Sequence, residues 1–93
     1  MKVEEEIEKK KKEEFSKRLG ELIRKIRTEK GMSGAELARR CFMDKPNISR
    51  LEKGKFSPTL YYLRKICKGL GITLSDLIIE FEKYDSSALA KEE

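Results

Sequence analysis

With 93 residues of which 38% are hydrophobic, the chain has about 35 apolar side chains, enough for one small core and too few for two. No apolar run approaches the roughly 20 residues that a membrane-spanning helix needs, and the opening MKVEEEIEKKKKEE does not read as a secretion signal. There is no histidine, and Cys41 and Cys67 lie far apart with no C-x-x-C pair, which argues against a zinc site, an imidazole-based catalytic pair or any cofactor, and fits a reducing cytoplasm.

The net charge of +5 is unevenly placed: residues 1–14 carry −1, residues 15–69 carry +10 and residues 70–93 carry −4. A basic middle between mildly acidic ends suits a polyanionic partner, because local field steers association more than total charge does.

In chain order, Phe15, Leu19, Leu22, Ile23 and Ile26 repeat at helical spacing and predict a first helix from about residue 15 to Glu29. Residues 1–14 form a charged extension, expected to be helical on the strength of i,i+4 pairs such as Glu5–Lys9 and Glu6–Lys10. Gly31 ends the helix, and Ser33-Gly34-Ala35-Glu36 reads as a capping box opening a short second helix over 34–41. Asp44 is expected to cap a third helix, 45–53, with Pro46 in its first turn and Ile48 and Leu51 facing inward. Pro58 is expected at the first position of a fourth helix whose stripe is Leu60, Leu63, Ile66 and Cys67. Thr73 caps a fifth, with Leu74, Leu77, Ile78 and Phe81 apolar, ending near Tyr84–Ser87 and leaving 84–93 as a tail. No segment alternates with period two, so no strand is expected. The two cysteines lie on apolar faces and read as core residues, and partial burial is the default for Tyr61 and Tyr62.

Two short helices joined by a tight turn, the second opening with polar and basic side chains, describe a helix-turn-helix. In this motif the first helix crosses the DNA backbone and the second enters the major groove. Helix 34–41 would support and helix 45–53 would read.

The motifs K-G-M-S, E-L-A, N-I-S-R-L-E-K-G, S-P-T-L and G-I-T-L-S-D-L follow in order over about residues 15–79 and resemble the lambda-repressor-like, Cro/Xre-type helix-turn-helix family. The resemblance implies an all-α, five-helix DNA-binding domain, over 15–83, acting as a transcriptional regulator. It also implies that Arg27, late in the first helix, pairs with Glu52 at the end of the reader. Two departures stand out: Gly34 replaces a glutamine that helps the family anchor on DNA, and Phe42 occupies a turn position where the family favours glycine.

By position on the reader, Lys45, Asn47, Ser49 and Arg50 are the candidates for base contact. Lys53 and Lys55, with the N–H groups of Ser33, Gly34 and Phe56, are candidates for phosphate contact. The partner expected is double-stranded DNA carrying a pseudo-palindromic operator, bound by a homodimer whose interface is Ile78, Ile79 and Phe81 on the fifth helix. A phage or mobile-element repressor, a restriction–modification controller and an antitoxin with a toxin partner all fit this reading. The alternative is a protein-interaction module that uses the domain as a scaffold, and RNA-binding and enzymatic readings are weaker.

Overall fold

The computed structural model describes residues 2–92, with side chains through Asp85. Five helices follow one another: α1 Lys2–Glu29, α2 Gly34–Arg40, α3 Lys45–Glu52, α4 Leu60–Leu70 and α5 Leu74–Glu92. Leu22 and Ile23 of α1, Leu37 of α2, Ile48 and Leu51 of α3, Ile66 and Leu70 of α4, and Leu77 of α5 meet in one core. Each comes from the apolar stripe of its own helix, and burial of these stripes, more than propensity, holds such short helices together.

α1 runs without a break through the charged extension. Residues 2–14 are exposed and have no place in the core, and their backbone bonds are supported by surface pairs such as Lys11–Glu8 at 3.5 Å. α5 likewise continues past the stop expected near Tyr84. Among the described side chains, Arg18 donates to Asp85 at 3.1 Å and the Tyr84 hydroxyl donates to Glu21 at 2.8 Å, which ties the start of this stretch to α1. The Tyr84 hydroxyl is held above its ordinary pKa, chiefly by the bond to Glu21.

The start of α4 also differs from expectation. It opens at Leu60 behind Thr59, whose Oγ1 accepts from the Tyr62 N–H at 3.2 Å, so Pro58 lies outside the helix. At α2 and α5 the expected caps are present: Ser33 Oγ accepts from Glu36 N–H and Thr73 Oγ1 from Asp76 N–H, both at 3.0 Å. Asp44 occupies the cap position of α3, but its carboxylate makes no capping bond. A cap accepts from the second or third residue of the helix. Here the second is Pro46, which has no N–H, and the third, Asn47, already donates to the Asp44 carbonyl at 3.0 Å.

Helices α1 to α4 end through the same pair of bonds, the N–H groups just past the helix reaching back to carbonyls of the last turn. This closure needs a positive φ at one residue. Gly31, Gly54 and Gly71 supply it after α1, α3 and α4, whereas after α2 the residue is Phe42, at φ 56°. A side chain there is strained by about 1 kcal/mol, and the ring, 89% exposed, recovers none of it by burial.

Candidate nucleic-acid interface

α3 is fixed to the body from three sides. Its inner face seats Ile48 and Leu51 in the core. Its C-terminal end lies directly on α1: a Cβ on Gly20 would sit 2.4 Å from the Leu51 carbonyl oxygen, and one on Gly54 would sit 2.5 Å from the Lys17 Cα. Only glycine allows the two backbones to approach so closely. The third tie is an ion pair. Arg27 donates to both Glu52 oxygens, from Nε at 2.7 Å and from Nη2 at 2.9 Å, while Nη1 donates to the Met32 carbonyl at 2.8 Å. The two side chains are 13% and 8% exposed, and the Glu52 hydrogen bond is the main reason that the Arg27 pKa is raised despite its partial burial. One guanidinium therefore clamps the end of α3, the end of α1 and Met32 in the turn before α2, with a planar bidentate grip on Glu52 that lysine cannot supply.

The outer side of α3 carries the residues expected to read DNA, and the helical repeat divides them between two flanks. Lys45, Ser49 and Lys53 succeed one another at i,i+4 and line a cleft of about 280 Å³ together with Arg24, Arg27 and Gly34. Asn47 and Arg50 lie on the flank towards α4, where the Arg50 guanidinium donates to the Asn47 side-chain oxygen. Lys45 and Arg50 are exposed, and Asn47 and Ser49 are half-buried.

Arg24 was not singled out by position on the motif, yet it is exposed and opens into the same cleft as Lys45 and Lys53. The available signal was its place one helical turn before Arg27, which puts both on the α1 face turned towards α3.

Lys53 and Lys55 are exposed on either side of Gly54. The Phe56 ring meets Tyr62 edge to face at 5.5 Å, which fixes the backbone of the loop after the reader. The Tyr62 hydroxyl is buried, and burial pushes its pKa up. Ser33 uses its hydroxyl to cap α2, and the Cβ position of Gly34 faces open space. Arg40 pairs with Glu36 at 2.9 Å on the outside of α2.

The expected dimer residues separate. Ile79 is 53% exposed and Ile78 is exposed beside it, but Phe81 is 5% exposed and packs edge to face on Phe15 with ring centroids 4.8 Å apart. Phe81 is thus a core residue that holds α5 to α1, and no part of a free surface. It lies one turn beyond Leu77 on the inner stripe, whereas Ile78 and Ile79 point off that stripe. The larger apolar exposure lies at the start of α4: Leu60 and Tyr61, with Ile72 and Leu74, line a hollow of about 700 Å³.

The family profile described as helix-turn-helix matches residues 23–77, from the middle of α1 into α5. The chain belongs to the Cro/Xre-type helix-turn-helix family. As a member it is a DNA-binding transcriptional regulator. The control protein C.MunI of a Mycoplasma species is 40% identical over 67 residues, spanning 71% of this chain and 90% of that protein. The restriction–modification controller C.Esp1396I superposes with a TM-score of 0.74 at 29% identity, covering 78% of this chain and 95% of its own. The clp gene regulator ClgR of Corynebacterium glutamicum superposes with a TM-score of 0.77 at 28% identity, over 84% of this chain and 83% of its own. C.Esp1396I is also known as a tetramer in complex with its natural 35 base-pair operator.

Proposed function

We propose that this regulator binds a pseudo-palindromic operator as a homodimer, with α3 in the major groove of each half-site. The observation that carries the reading is the clamped reader: α3 is held rigidly by Arg27–Glu52 while an outward row of Lys45, Ser49 and Lys53 faces a basic cleft. Lys45 and Arg50 suit the guanine O6/N7 edge, Asn47 suits adenine, and Ser49 accepts or donates to either. Lys53, Lys55 and Arg24, with the N–H groups of Ser33, Gly34 and Phe56, are the phosphate contacts that set register and contribute no sequence information.

One short helix reads only a few base pairs, so useful specificity calls for two readers about 34 Å apart on one face of the duplex. We infer that the two-fold contact is made by the apolar surface of Leu60, Tyr61, Ile72 and Leu74, continued by Ile78 and Ile79. The likeness to two control proteins supports control of a restriction–modification gene pair in the cytoplasm as the biological role. No helix among the described residues is long and apolar enough to cross a membrane. The test is selection of bound duplexes from a random pool, followed by footprinting. The expected result is an inverted repeat with half-site centres about one helical turn apart, protected on one face of the duplex. Recovery of unrelated sequences would overturn specific reading, and a lone half-site would overturn the dimer.

A further inference from the structure

Four helices of this protein close with the same hydrogen-bonded turn, and three of those turns carry glycine at the residue of positive φ. The exception lies between α2 and α3, where Phe42 takes φ 56° with its ring 89% exposed. Neither local conformation nor burial accounts for phenylalanine at this place. Glycine or asparagine would satisfy the backbone at lower strain, and the core receives nothing from the ring.

The position does suggest a use. Phe42 stands three residues before Lys45, at the end of α3 that points its first side chains at base edges in this class of motif. Phe42 borders a surface hollow with Asn47 and Lys65, groups suited to a base edge and to a phosphate, and with Asp44, whose charge offsets that of Lys65. We propose that Phe42 is a DNA-contacting group whose ring packs on the apolar surface of the duplex, a thymine methyl or a deoxyribose, at the edge of the groove that α3 enters. This proposal rests on the DNA-binding reading above. Asn47, a base-contact candidate on the reader, lines the same hollow, and this continuity with α3 favours DNA over an apolar protein partner at this site.

The experiment is Phe42→Gly in the full chain, read both for thermal stability and for affinity towards the duplex that the wild-type protein selects from a random pool. The variant should melt at the same temperature as wild type or a few degrees higher, because the strain is relieved, while its Kd rises roughly threefold to tenfold through the lost apolar contact. Phe42→Leu, which keeps the apolar bulk, should retain most of the affinity.

Replacing thymines one at a time by uracil separates the two DNA surfaces. Loss of sensitivity to one uracil in Phe42→Gly identifies the methyl group, and an equal loss on thymine and uracil duplexes identifies the sugar. Wild-type affinity in Phe42→Gly would overturn the proposal and leave a protein partner as the reader of the ring. A melting temperature lowered by several degrees would also overturn it, since the ring would then be part of the fold. A wild-type protein that selects no duplex would instead remove the DNA-binding reading itself.

Discussion

At the scale of single residues, Arg27 and Glu52 do more than neutralise one another. Each side chain is mostly but not wholly enclosed, and the guanidinium places all its described bonds on the junction of α1, α3 and the approach to α2. Removing the carboxylate leaves a charge partly buried without its partner, a change that costs about 3 kcal/mol or more when the pair is well enclosed. Glu52→Ala is therefore expected to lower the unfolding free energy from urea denaturation by that amount, and a change within about 0.5 kcal/mol would mean that water serves Arg27 equally well. Cys67 gives a pH-dependent prediction. Burial pushes its thiol from 9.0 up to about 11, so the folded chain keeps the proton over a range in which the unfolded chain releases it. The resulting stability is complete below about pH 9 and disappears as pH rises towards 11, by up to about 3 kcal/mol. Cys67→Ala should show a shallower fall over that window in denaturation at fixed pH, and an equal fall in both proteins would contradict the assignment.

At the scale of elements, the reader and the loop after it have separable duties. Arg50 lies on α3 beside Asn47, the flank proposed to face bases, whereas Lys55 lies beyond the Gly54 turn. Arg50→Ala should flatten sequence preference at one or two base pairs in each half-site, and Lys55→Ala should weaken every duplex by a similar factor. Competition assays across a panel of single-base operator variants distinguish the two, and uniform loss from Arg50→Ala would contradict its reading role. Element boundaries are legible in the sequence where a hydroxyl has a free N–H to cap, as at Ser33 and Thr73. They are misread where two starting signals compete, as at Pro58 and Thr59, or where a proline removes the donor, as after Asp44. The helical extension of α1 is legible from its i,i+4 pairs, whereas the length of α5 is hidden behind the polar run Tyr84–Ser87, which reads as a stop. Gly20 is silent for a different reason: helical spacing does not reveal which backbone will cross that residue. The place of Arg24 in the cleft is not legible for the same reason, since it depends on the packing of α1 beside α3.

At the scale of the whole molecule, the long axis of 43 Å is set by α1, whose first half stands clear of the core. Two apolar surfaces are available to the proposed homodimer: the α4–α5 surface with Leu74 and Ile79, and the extension with Val3 and Ile7. The former lies against the folded body, where its geometry is fixed before association, so it is the better base for a two-fold axis that spaces two readers. Ile79→Asp should sediment as a monomer while deletion of residues 1–14 remains dimeric, and the reverse pattern would place the interface on the extension. The central claim, that a basic face built around α3 binds duplex DNA, is tested most directly by the salt dependence of affinity for the selected operator. With about 6 phosphates neutralised per dimer, the slope of log affinity against log salt should lie near −5. A slope near zero, or no duplex binding at low salt, would contradict it.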